Sequence, residues 1–291
     1  MTERSGTILV TGATGLQGGA VLRHLVAGGF SVRVLARDSD SERARLISST
    51  GIEIVRGDLT DRVSLDRALH GVDGVFSMAT PWEQGFDAEV IQGTTLGDAA
   101  KAAAVRHYVY SSIGAADRDT GIPHFETKTR IERHLRDLEL PLTVVRPVWF
   151  YENFNSFGMQ QVGDAYEIRT PLRRETKLQM IAVDDVGAFV TLAFGKPDEW
   201  IGRELEIAGD ELTMEQIAEA IQSYTGMHTD YVQVPVEEVR AYSEDFAVAY
   251  EYFEREGYKA DLLDLRRMRP DLTTFAEWLE RGGLRRVTRA A

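Results

Sequence analysis

Among 291 residues there is not one cysteine. Disulfides, thiolate metal sites and cysteine nucleophiles are therefore excluded. Basic charge is also scarce, with 33 Lys and Arg against 46 Asp and Glu and a formal charge of −13. Non-specific binding to nucleic acid needs basic surface, and so does an anionic membrane surface, so the chain is read as having neither partner. No apolar run approaches the roughly 20 residues needed to span a bilayer. The opening "MTERSG" is too short and polar for a signal peptide and is expected to lead straight into a strand, which makes a cytoplasmic protein the expectation. The six histidines show no HExxH or other metal spacing, and no GxSxG elbow marks a hydrolase, so no metal site is expected. The closing "RRVTRA" is a short basic tail, read as solvated and not as a nucleic-acid arm.

Apolar residues are 43% and charged residues 27%, enough for a normal globular core. Up to about residue 150, short runs rich in Val and Ile recur: "TILVTG", "SVRVLAR", "IEIVRGD", "GVFSMAT", "HYVYSS" and "LTVVRPVWF". Stretches with helical spacing lie between them; Val21, Leu22, Leu25 and Val26 share one helical face, which Gly28 and Gly29 end. Strands alternating with helices of this length predict an α/β fold with a parallel sheet covered on both faces. Beyond residue 150 the pattern loosens. "TKLQMIAVDD", "RELEIAG" and "DYVQVPV" read as strands and "DVGAFVTLAFG" as a helix. Thr213 and Gln216 form a capping box for another helix, and Phe246, Tyr250 and Phe253 stripe a later one as core. The division expected is a cofactor-binding domain over residues 1–150 and a smaller α+β lobe over 151–291, with both contributing to the sheet.

"GATGLQG" follows the first strand and opens the first helix. In that context glycines allow a tight turn and bring main-chain N–H groups against a pyrophosphate at a helix N-terminus. The candidate contacts are Gly12, Thr14, Gly15, Leu16, Gln17 and Gly18. Arg37 ends the second strand. A guanidinium there matches a 2′-phosphate in bidentate geometry, where an acidic residue would favour NAD, so NADP(H) is the expected cofactor. Asp38 follows at once and softens that preference; Arg43 and Arg45 either assist or lie on a solvated helix face. In "GDLTD", Asp58 and its neighbour Leu59 are candidates for the adenine edge; the alternative for Asp58 is a helix cap, a role that Thr60 or Asp61 could also fill.

The segments "GATGLQGG", "RVLAR", "GDLTD", "HYVYSS", "HFETK", "RPVWFYENF", "AVDDVGAFV" and "TFAEWL", in that order over almost the whole chain, resemble atypical short-chain dehydrogenase/reductases of the NmrA-like group, close to the HSCARG proteins. The resemblance implies a Rossmann-type fold, a doubly wound parallel sheet with a smaller C-terminal lobe, and NADP(H) binding. It implies one of two functional styles. Some relatives are reductases of benzylic ethers, quinones or triphenylmethanes, while others are sensors that report the NADP(H) redox state to a protein partner.

Ordinary short-chain dehydrogenases use a Tyr-x-x-x-Lys pair. Here "HFETK" places His124 where the Tyr would stand, with Lys128 four residues on, on the same helical face. Lys128 is the candidate for ribose binding. His124 is either a general acid or a residue of the helix start. Ser111 and Ser112 end the fifth strand, where the family's catalytic Ser sits; Ser111 is a candidate cofactor contact and Ser112 a candidate catalytic residue that hydrogen-bonds a substrate carbonyl, the alternative being hydroxyls that cap the turn. In "RPVWFYENF", Pro147, Phe150, Tyr151 and Asn153 are expected over the nicotinamide end, with Tyr151 able to supply the missing proton. Trp149, Phe154 and Phe157 read as an aromatic wall for a flat substrate, although packing between lobes is the preferred account of Trp149. Thr80 and Pro81, in "TPWEQGF", are expected along the cofactor ribose. The reading favoured is an NADPH-dependent reductase of a flat, conjugated molecule such as a quinone, imine or enone. The alternative is a non-catalytic redox sensor with a regulatory protein partner. A homodimer fits either.

Overall fold

The computed structural model describes residues 4–285; of the basic tail "RRVTRA" only Arg285 falls within them. In chain order, β1 (Arg4–Val10), α1 (Leu16–Ala27), β2 (Phe30–Ala36), α2 (Glu42–Ser48), β3 (Glu53–Arg56), α3 (Arg62–Ala68), β4 (Gly74–Ser77), α4 (Phe86–Ala102), β5 (His107–Ser111), α5 (Pro123–Asp137) and β6 (Leu142–Pro147) follow the alternation read from the sequence. Then come β7 (Trp149–Phe150), a 3-10 turn (Tyr151–Asn155), β8 (Met159–Val162), β9 (Ala165–Thr170) and β10 (Lys177–Ile181). The chain continues through α6 (Val183–Gly195), α7 (Pro197–Trp200), β11 (Glu204–Ile207), β12 (Asp210–Thr213), α8 (Met214–Thr225) and β13 (Thr229–Gln233). It closes with α9 (Val236–Arg240), α10 (Glu244–Arg255), α11 (Leu262–Met268) and α12 (Phe275–Glu280).

The chain forms two compact units. The first holds residues up to Ala116, His124–Arg146 and Asp184–Leu205; the second holds Asp117–Pro123, Pro147–Val183 and the chain from Glu206 onward. No single cut near residue 150 separates them, because α6 and the start of β11 belong with the first unit. The seven-stranded sheet runs β11-β6-β5-β4-β1-β2-β3. Its registers are parallel from β3 through β6. This is a Rossmann-type doubly wound sheet: strand order reverses between β1 and β4, and ligands of such sheets sit outside the carboxyl ends of the strands at that reversal.

On one face of the sheet, Leu9, Leu65, Leu96, Tyr108, Ile131 and Leu135 are buried together with their neighbours. Val26, expected on the buried face of α1, is 45% exposed, while Ala20, Val21, Leu22 and Leu25 are buried. The second unit carries two three-stranded sheets, β12-β10-β7 and β13-β9-β8, of which β7, β8 and β12 lack a clear alternating run, while β9 buries Tyr166, Ile168 and Thr170 in alternation. The capping box at Thr213 and Gln216 is present with both reciprocal hydrogen bonds.

Candidate functional site: a dinucleotide cavity

Parallel register brings the ends of four strands side by side. Val10 pairs with Phe76 on β4, so Thr11 and Met78 leave the sheet together. Thr11 Oγ1 donates to the Met78 carbonyl at 3.1 Å and accepts from the Met78 amide at 2.9 Å, which pins the two turns to each other. Ala36 pairs with Arg56, so Arg37 emerges beside Gly57 and Asp58. Between these ends lies a cavity of about 620 Å³, within the usual range for a small-molecule site.

The turn from β1 into α1 forms one wall. Gly12 takes φ +67°, a conformation that disfavours a side chain, and a Cβ on Gly18 would meet the Gly12 carbonyl at 2.3 Å. Gly15 caps α1 without any side-chain partner, and no acidic residue occupies the first turn. The helix therefore presents open N–H groups and its positive end to the cavity. Such a cradle fits the pyrophosphate of a nicotinamide dinucleotide.

Of the residues read from sequence as cofactor contacts, Gly12, Thr14, Gly15, Leu16, Gln17, Gly18, Arg37, Asp58, Leu59 and Thr80 all line this cavity. Arg43 does too, and its Nη1 donates to the Thr14 carbonyl at 3.0 Å. Asp58 Oδ1 accepts from the Thr60 amide at 2.8 Å and the Thr60 hydroxyl at 2.7 Å. Those bonds, then the nearby Arg37 charge, hold its carboxyl below the usual range. The helix cap weighed for Asp58 belongs instead to Asp61, which accepts from the Val63 amide.

Pro81, Ser111 and Lys128 stand off the cavity lining. Lys128 touches it indirectly: Nζ donates to the carbonyl of Ala79, a lining residue, at 2.6 Å and lies 2.7 Å from Glu89 Oε1. Glu89 is fully buried in the first turn of α4 and also accepts from the Thr127 hydroxyl. Sequence reasoning missed Glu89, because an acidic residue in a first turn reads as an ordinary complement to the helix dipole. It also missed Met78 and Glu83, which line the cavity from within the segments "GVFSMAT" and "TPWEQGF", and Gln92, which lines it from α4.

The helix carrying Lys128 is anchored by a buried ion pair. Arg146, on β6, holds both oxygens of Glu132 at 2.9 and 2.7 Å. His124 stands at the start of α5 but is buried and not partly exposed: its ring lies 5.3 Å from Trp82 and 4.7 Å from Phe125, while Trp82 is itself 59% exposed. Ser111 and Ser112 are buried, and their hydroxyl oxygens have no hydrogen-bond partner among the described residues. Neither hydroxyl caps a turn.

In the second unit the expectations need correction. Tyr151 is fully buried against Phe275 and Trp278, and its hydroxyl donates to the Thr273 carbonyl at 3.1 Å. It is a packing residue and not a proton donor. Phe154 is likewise core, 5.5 Å from Phe275. Trp149 packs among Phe157, Tyr250 and Phe253 of its own unit, and of the three wall residues only Phe157 is exposed. Pro147 ends β6, Phe150 is half-buried in β7, and Asn153 lies in the 3-10 turn. No helix among the described residues is long and apolar enough to cross a membrane.

The model of the NmrA-like family matches residues 4–279. An NmrA-like family domain-containing protein of Dictyostelium discoideum is 25% identical over 95% of this chain and 98% of its own. An NAD(P)H azoreductase of Xenophilus azovorans is 29% identical over 80% of this chain and 79% of its own. The crystal structure of NmrA, a negative transcriptional regulator, in complex with NADP superposes with a TM-score of 0.81 at 24% identity, over 97% of this chain and 98% of that one.

Proposed function

The chain belongs to the NmrA-like family, and from that premise we propose that it is an NADPH-dependent reductase acting on a flat, conjugated acceptor. The observation that carries the cofactor half is the single cavity joining the open N-terminus of α1 to the Arg37 guanidinium. Bound NADP(H) would set its pyrophosphate against the first and its 2′-phosphate against the second. A reduced nicotinamide bound there supplies the hydride.

The chain's own residues supply position and protons. Lys128, fixed between Ala79 and Glu89, offers its remaining N–H to ribose hydroxyls. Ser112 donates to an acceptor oxygen or nitrogen. His124 stands in the proton-donor position of the Tyr that this chain lacks, and its burial under Trp82 keeps bulk water from it. With no tyrosine acid, the chemistry suits acceptors whose reduction needs little help with protonation, such as quinones, imines or azo groups. The exposed Trp82 indole is a surface on which a flat ring can stack. The name of the azoreductase relative supports the same acceptor class.

The test is a panel of quinones, imines, enones, azo compounds and triarylmethane dyes mixed with NADPH, followed at the nicotinamide absorbance. Oxidation of NADPH by at least one acceptor, slowed at least about tenfold in His124→Ala, is the expected result. Tight NADPH binding with no turnover of any acceptor overturns the reductase and leaves an NADP(H)-responsive regulator.

A further inference from the structure

Three carboxylates line the dinucleotide cavity: Asp38, Asp58 and Glu83. Two are engaged in their own turns, Asp58 by Thr60 and Asp38 by the Asp40 amide at 2.9 Å. Glu83 is different. It sits on the turn after β4, closed by a bond from the Gly85 amide to the Pro81 carbonyl at 2.8 Å, and its carboxylate is ion-paired with Arg37. The guanidinium that faces the 2′ position of the cofactor is thus already held by an acid 46 positions away in the chain.

Both partners are more than half exposed. A pair this open is weak and screened, so it yields to a better ligand. A phosphate monoester is that ligand, since it carries close to two negative charges and bonds a guanidinium bidentately. Once it takes Arg37, the Glu83 carboxylate is left beside a dianion, and like charges repel. A cofactor with a bare 2′-hydroxyl makes no such demand, and the Arg37–Glu83 pair survives its binding.

We propose that Glu83 is a specificity-determining residue: its carboxylate competes with the 2′-phosphate for Arg37 and so tempers the preference for NADP(H) over NAD(H). This rests on the reading of Arg37 as the 2′-phosphate ligand. The competition acts on one end of the cofactor only. It therefore alters the ratio of the two affinities and leaves the affinity for the unphosphorylated form in place.

The experiment titrates the wild-type chain, Glu83→Gln and Arg37→Gln with NADPH, NADH, 2′,5′-ADP and 5′-AMP by calorimetry at low salt. The two nucleotides isolate the 2′-phosphate from the nicotinamide half. Glu83→Gln should tighten NADPH and 2′,5′-ADP by about fivefold, the upper range for an exposed ion pair, and leave NADH and 5′-AMP unchanged. The gain should shrink as salt rises. An unchanged or lowered NADPH:NADH affinity ratio in Glu83→Gln overturns the proposal. If Arg37→Gln still lowers that ratio, the cofactor reading stands without it. If Arg37→Gln leaves the ratio unchanged, the reading of Arg37 fails and takes the proposal with it.

Discussion

Lys128 Nζ lies 2.7 Å from Glu89 Oε1, and both side chains are buried. The amine that the "HFETK" motif offers to a ribose is held by a carboxylate from another helix. Removing one partner of such a pair strands a buried charge, which typically costs about 3–5 kcal/mol, whereas removing both costs far less. Lys128→Met should therefore destabilise the chain by roughly that amount, and Lys128→Met with Glu89→Gln should restore most of it. Urea denaturation of the two single variants and the double variant measures the coupling. Additive losses would show that the pair does not act as a unit.

Gly18→Ala places a Cβ 2.3 Å from the Gly12 carbonyl and 2.6 Å from that of Thr11, and both contacts are backbone. The turn must open to admit it. The expected cost is about 1–3 kcal/mol of stability, with at least about tenfold weaker NADPH binding. Gly19→Ala is the comparison, since its nearest contact is 3.2 Å away. Thermal shift with and without NADPH separates the two effects.

His107 gives the first unit a pH dependence. Thr143 Oγ1 donates to the Trp200 carbonyl at 2.7 Å, so it accepts from His107 Nε2 at 2.8 Å. Protonation would bury a second N–H at Nδ1, which has no partner among the described residues. Burial lowers the imidazole pKa from 6.5 to about 4. Between those values the unfolded chain binds a proton that the folded chain refuses. The contribution is full above pH 6.5 and is lost as pH falls toward 4, for a total on the order of 3 kcal/mol. His107→Gln should flatten this part of the stability–pH curve, measured by urea midpoints at several pH values. A slope equal to that of the wild type would assign the dependence to other groups.

Tyr151→Phe tests the corrected role of that residue. Losing the hydrogen bond to the Thr273 carbonyl should cost roughly 1 kcal/mol of stability. NADPH oxidation with the best acceptor should be unchanged. A marked fall in kcat at intact stability would return Tyr151 to the chemistry.

The glycine turn that walls the cavity was legible because its information is local. Strand, glycine turn and helix occupy adjacent residues from Ile8 to Leu25, and the steric demand at Gly12 and Gly18 arises within that turn. The capping box at Thr213 and Gln216 was legible for the same reason, its partners being three residues apart. Strands β7 and β8 were not, because strands of two and four residues are too short to show alternation.

The sequence by itself determined an α/β chain with a glycine-rich turn between its first strand and helix, an arginine at the end of the second strand, and a His and a Lys on one helical face. Tertiary structure decided how those groups are engaged. Glu89 reaches Lys128 from another helix, Glu83 reaches Arg37 from another turn, and Tyr151 turns into the core to meet Thr273, 122 positions away. Spacing along a helix or strand is set by local geometry. The partner of a side chain across the fold is set by strand order and packing, which no local pattern encodes.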